Sequence, residues 1–111
     1  LSSRVVKGLI NLRGQIITAI DLRRRFEMPD LPKGRLSMNV VVRTDEGVVC
    51  LLVDEIWDVM EVQAGSHEMV PETVAGVTRE LVSGVYKLKD HLLHILDTNK
   101  VLQFEPTTTQ N

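Results

Sequence analysis

The stretch Lys7–Phe26, KGLINLRGQIITAIDLRRRF, sets two apolar segments around an Arg13-Gly14 pair and ends in a basic run. Each segment is rich in Leu, Ile and Val and alternates imperfectly, the pattern of a strand covered largely on both faces. Gly14 is free to take φ > 0, which a tight two-residue hairpin turn needs. The stretch therefore predicts a β-hairpin with strands over about Gly8–Leu12 and Gln15–Ile20, and with Asn11 and Arg13 presented at its edge. A polar, charged tip on a rigid apolar base is a common way to build a binding surface.

Working outward, the same kind of short apolar block recurs between turn signals, as in an all-β domain. Further strands are expected at Ser37–Arg43, Val48–Asp54, Val59–Val62, Leu81–Leu88 and His91–Leu96. Asp45-Glu46-Gly47 and Lys89-Asp90 read as hairpin turns. Glu27–Arg35, with Pro29, Pro32 and Gly34, reads as a connecting loop, and Gln63–Arg79 as a longer one. Helix is scarce: Asp21–Phe26 fits a short one with Asp21 capping and its arginines exposed, and Thr98–Phe104 fits another that sets Val101 and Leu102 against the body. Residues 105–111, EPTTTQN, have no apolar anchor and read as a loose tail after a domain spanning 1–104. Strands apolar on both faces point to a sheet wrapped around its own core, a closed or paired barrel.

Composition narrows the function classes. The chain has 111 residues, a hydrophobic content of 43%, a charged content of 25% and a net charge of −2. That is one ordinary globular domain with no bulk attraction to nucleic acid or to anionic lipid. No apolar stretch approaches the ~20 residues that span a bilayer. The single cysteine, Cys50 in VVCLLVD, reads as a buried apolar residue and suits a reducing compartment. A sequence that starts at Leu1 rather than Met, and meets a strand almost at once, reads as a fragment or a processed product.

The residues that could carry chemistry have plainer readings. Asp21, Asp54, Glu55 and Asp58 fall at strand ends and turns, with no spacing that forces two carboxylates together, so solvated or capping roles are expected. His91, His94 and Asp97 form H-x-x-H-x-x-D, but on a strand residues three apart point to opposite faces, and His67 is a lone loop histidine. Ser66-His67-Glu68 is contiguous, whereas triads are assembled from separated segments. NLRGQ precedes a strand and matches no phosphate-binding loop. The Arg23–Arg25 run suggests a small-barrel nucleic-acid binder, yet it lacks stacking aromatics and reads better as a solvated helical face. Trp57, where a strand breaks into polar residues, is either a partner-surface or a core residue. The residues alone describe a non-enzymatic, cytoplasmic, all-β binding module without cofactor or metal.

Three segments carry a resemblance. GLINLRGQIITAIDLRRRF is similar to the "G-x-x-N-L-R-G-x-I-x-P-x-I-D-L-R" hairpin of the CheW-like domain family of bacterial chemotaxis. It matches at Gly8, Asn11, Leu12, Arg13, Gly14, Ile16, Ile20, Asp21, Leu22 and Arg23. GVVCLLVDEIWDV resembles the family's "G-x-x-V-D-x-V" strand through Val53, Asp54 and Ile56. LVSGVYKLKDHLLHILDTNKVL resembles the closing "G-x-x-x-L-x-D-x-L-L-x-L-L-D-x-x-K-L-L" segment through Gly84, Leu88, Asp90, Leu92, Leu93, Leu96, Asp97, Lys100, Val101 and Leu102. The three motifs stand in order over roughly residues 1–104. Thr18 replaces a common proline, Cys50 a glycine, and His94 interrupts the last aliphatic run; the family's N-terminal strands and "E-I/V" segment have no counterpart here.

The resemblance implies two small SH3-like five-stranded β-barrels side by side, the first of them incomplete in this chain. It also implies a scaffold rather than an enzyme, one that couples the cytoplasmic tip of a chemoreceptor to the regulatory domain of the histidine kinase CheA by linked binding. By the same comparison Arg13 is a receptor-contact or hairpin-ordering residue, or else a structural one bonding carbonyls across the barrel junction. Lys7 and Gly8, with Asn11, Leu12 and Gly14 of the hairpin, lie near a partner surface, and Val49, Leu51 and Val53 line the receptor groove. The same fold also serves as the regulatory domain of a CheA kinase or the front half of a CheV-type coupler. An incomplete first barrel leaves an open edge, which invites self-association by strand pairing.

Overall fold

A computed structural model describes residues 4–63 and 65–104. It divides into two compact units, one running to Trp57 and including Phe104, the other Asp58–Gln103. The expected tail, 105–111, lies outside the described residues.

In the first unit β1 (Val6–Leu12) and β2 (Gln15–Asp21) form the expected hairpin. α1 (Leu22–Arg25) follows, with the Asp21 carboxylate accepting from the Arg24 N–H at its start. β3 (Met38–Thr44) and β4 (Gly47–Val53) make the second hairpin around Asp45-Glu46. The sheet order is β1-β2-β4-β3. β4 therefore folds back between β3 and β2 and runs parallel to β2, with Ala19 opposite Cys50 and Ile20 opposite Leu51.

That insertion explains why both faces of β2 and β4 are apolar. Ile17, Ala19 and Cys50 form a core cluster on one face, with Ile10, Val48 and Leu52 packed against it. Ile20 and Leu51, on the opposite face, are 2% and 4% exposed. Alternation is cleaner on the edge strand β1, where Val6, Gly8 and Ile10 are half-buried and Lys7, Leu9 and Asn11 exposed. Cys50 is fully buried, and burial pushes its thiol above its ordinary pKa, which suits an inert apolar residue.

The second unit is a three-stranded sheet, β5 (His67–Glu68), β6 (Val82–Lys87) and β7 (Leu92–Leu96), in that order. α2 (Gly76–Leu81) runs directly into β6, and α3 (Thr98–Val101) follows β7 with Asp97 as its cap. Leu81, Val85 and Val101 are its most buried side chains. Gly84 has a steric reason to be glycine: a methyl there would run into His67 Nε2 and lie 2.9 Å from the Glu68 carbonyl oxygen.

Two expectations about elements need correction. Val59–Val62 is not a strand: these residues are exposed and carry no ladder partner among the described residues. Apolar letters alone cannot make a strand without a neighbour to bond. The supposed Gln63–Arg79 loop contains β5 and the first four residues of α2. A two-residue strand has no periodicity to read, and α2 opens with Gly76 and two β-branched residues, all poor helix formers. The described residues form a four-stranded and a three-stranded sheet with few short helices, the all-β class the resemblance implied, with its first barrel incomplete in this chain.

Candidate partner-binding surface

The β1–β2 turn is a two-residue loop closed by the Leu12–Gln15 pair. Arg13 has φ 53° and Gly14 φ 82°, the positive pair of a type I′ turn, whose twist matches that of the flanking strands. Gly14 takes this conformation freely. Arg13 does not, and an ordinary residue in the left-handed region costs about 1–2 kcal/mol. Asn11 locks the turn, its Oδ1 accepting from the Gly14 N–H at 2.9 Å. The Arg13 side chain is exposed, and among the described residues no carboxylate or carbonyl engages its guanidinium.

Beside this tip lies an apolar face that the sequence reading missed. Leu9 is 68% and Ile16 61% exposed. The pairings Asn11–Ile16, Leu9–Thr18 and Thr18–Val49 place Leu9, Asn11, Ile16, Thr18 and Val49 on one side of the sheet. The signal was present in GLINL: if Ile10 faces the core, Leu9 must face away. Leu12, 39% exposed, points to the other side.

The remaining expected residues do not gather at the tip. Leu51 shares the Val49 face of β4 but is buried. Val53, at the far end of β4, lines a groove of about 470 Å³ with Leu22, Phe26, Met28 and Trp57. Lys7 sits at a register shift between Val6 and Gly8, which a β-bulge there produces. It faces a separate charged cleft of about 350 Å³ that also takes in Asp21, Arg23, Asp30 and Asp54.

That cleft revises the reading of the arginine run as a solvated face. Arg23 grips Asp54 with two bonds, Nε–Oδ1 at 2.8 Å and the second at 3.0 Å, and donates to the Pro29 carbonyl at 2.7 Å. Arg24 grips Asp30 with two bonds of 3.1 Å and donates to the Arg4 carbonyl at 3.0 Å. Arg25 lies over the Phe104 ring, 6.0 Å from its centre. Bidentate pairing of this kind fixes geometry as well as charge, so the first two arginines clamp the Glu27–Ser37 connection onto the sheet. Hydrogen bonding to Arg23 and to Arg24 holds the Asp54 and Asp30 carboxyls, respectively, below the usual 3.8. Among the described residues no three His, Cys, Asp or Glu side chains converge as metal ligands, and no helix is long and apolar enough to cross a membrane. His91 stands just before β7 rather than within it, and both it and His94 are exposed.

This arrangement has relatives. The family profile described as "CheW-like domain" matches residues 1–105. "Chemotaxis protein CheW" of Bacillus subtilis is 34% identical over 98 residues, 88% of this chain and 63% of the relative. The protein of that name from Klebsiella aerogenes is 30% identical over 90% of this chain and 60% of its own length. Among solved structures, that of the scaffolding protein TtCheW from Thermoanaerobacter tengcongensis superposes with a TM-score of 0.74 at 30% identity, covering 86% of this chain and 65% of that one. The chain spans under two thirds of the length of these relatives. A profile match over nearly the whole sequence, a shared fold and the NLRG hairpin together establish that this chain belongs to the CheW-like domain family.

Proposed function

We propose that the chain acts as a non-catalytic coupling scaffold in bacterial chemotaxis, binding the cytoplasmic tip of a chemoreceptor and the regulatory domain of the histidine kinase CheA. It works in the cytoplasm at receptor arrays, and its output comes from linked binding: occupancy of one interface biases the other. The observation that carries this reading is the β1–β2 tip, where Arg13 is held in a costly backbone conformation, its guanidinium without an ion pair among the described residues, next to exposed Leu9 and Ile16. Strain kept in a turn, beside apolar surface left uncovered, supports an interface role for this tip. The names of the relatives support a stand-alone coupler over the regulatory domain of a kinase or part of a CheV-type protein.

Lys7, Gly8, Asn11, Leu12, Arg13, Gly14 and Val49 belong to the contact region in this reading, with Asn11 and Gly14 ordering the turn and Leu9 and Ile16 added to it. Val53 contributes from the other end of β4, and Leu51 supports the face from within. The outer edge of β1 offers a second route, pairing with another copy of the chain. A pull-down with a receptor-tip fragment and the CheA regulatory domain tests the proposal. The protein retains both, and Arg13→Ala retains less of at least one. Failure of the unaltered protein to bind either partner overturns the scaffold reading.

A further inference from the structure

The chain has four methionines, Met28, Met38, Met60 and Met69, all of them exposed, from 43% at Met38 to 86% at Met69. Among the described residues only the Met38 sulfur takes a hydrogen bond: its Sδ accepts from the Ile56 N–H at 3.3 Å. The fold builds this contact. Met38 opens β3 opposite Val53, the last residue of β4. Beyond Val53 the two-bond grip of Arg23 fixes Asp54, and two residues later the backbone gives its N–H to Met38. No backbone carbonyl takes that N–H among the described residues. A sulfur, itself a weak acceptor, therefore holds the segment that leaves β4.

A thioether sulfur has two lone pairs. Adding oxygen to one or the other gives one or the other sulfoxide epimer, and each epimer is repaired by its own reductase. At Met38 the Ile56 N–H covers one lone pair and leaves the second to an incoming oxidant. Hydrogen peroxide reacts there as a two-electron oxidant: its O–O bond breaks, one oxygen forms the S–O bond, and the other leaves as water with both protons. The apolar side chain becomes polar and chiral, and its sulfur, now positively polarised, no longer attracts the Ile56 N–H.

We infer that Met38 is a reversible peroxide-modification site, oxidised with one handedness set by the Ile56 N–H and coupled to release of the segment that leaves β4. The site shares no residue with the hairpin tip and does not rest on the coupling function. The test treats the full chain with hydrogen peroxide and maps each methionine by mass spectrometry. The product is then divided between two sulfoxide reductases of opposite epimer specificity. Met69, the most exposed of the four, oxidises first and serves as the internal control, with each reductase repairing about half of it. At Met38 one reductase repairs about fivefold more than the other. The Ile56 amide resonance shifts as Met38 is oxidised and returns when that reductase acts. Peroxide leaves it in place in Met38→Leu, a volume-conserving change that keeps the fold. Equal repair of Met38 by both enzymes overturns the inference, as does a Met38 that stays reduced while the similarly exposed Met28 and Met60 are oxidised. So does an Ile56 resonance that ignores Met38 oxidation, or one that shifts with peroxide in Met38→Leu.

Discussion

Arg13 and Arg23 belong to one four-stranded unit of the protein and meet opposite fates. Arg23 is spent on the fold: two bonds to Asp54 and one to Pro29 tie a proline-rich connection to the end of β4. Arg13 spends backbone energy to stay unpaired at the end of a hairpin. The sequence reading set Arg13 at a binding edge and the arginine run on a solvated face, and the structure revises the second placement. The arginine run reads as solvated, whereas the guanidinium groups of Arg23 and Arg24 are engaged by Asp54 and Asp30. Availability, rather than exposure alone, separates a binding arginine from a structural one.

The comparison can be broken in several places, beginning with the platform both arginines share. Ile17, in the second strand of the hairpin, is 1% exposed. Ile17→Ala is expected to cost about 2–5 kcal/mol, read by denaturant unfolding, and to impair both regions at once. Next, Arg13→Ala is expected to weaken receptor or kinase binding about tenfold, the loss of one interface anchor, with an unchanged melting curve. Arg13→Asn sharpens this further. Asn-Gly is the preferred type I′ pair, so the variant gains up to about 1 kcal/mol of stability while losing the same partner affinity.

Arg23→Ala should act in the reverse sense. Limited proteolysis is expected to cut faster within Glu27–Ser37, while affinity at the hairpin tip is retained. The smallest effect is a pH dependence. Asp54 and Asp30 are held below 3.8 in the folded state, so the clamp stabilises fully above about pH 4 and is lost as pH falls through the lowered values. Acid titrations of stability should therefore be flatter below pH 4 in the Asp30→Asn, Asp54→Asn double variant than in the unaltered protein.

Much of the fold was legible because its signals are local. KGLINLRGQIITAID states its hairpin through one glycine and two apolar runs, and Asp21 and Asp97 announce their helices as caps. Leu9 and Ile16 were legible in principle from alternation, but a continuous apolar run hides which face stays uncovered. The Arg23–Asp54 clamp was not legible, because it joins residues 31 apart in the sequence. Nor was the Trp57 groove, whose walls come from α1, the connection after it and the end of β4, far apart in the sequence. β5 escaped notice for a related reason: two residues paired to β6 leave no pattern of their own.

The central claim is that the free arginine binds and the clamped one does not. Titrating the CheA regulatory domain and a receptor-tip fragment against Arg13→Ala and Arg23→Ala, with melting curves on the same samples, tests it directly. The account predicts about a tenfold affinity loss with unchanged melting for Arg13→Ala, and retained affinity with earlier melting for Arg23→Ala. Undiminished binding by Arg13→Ala, or equal losses in both variants, would contradict it.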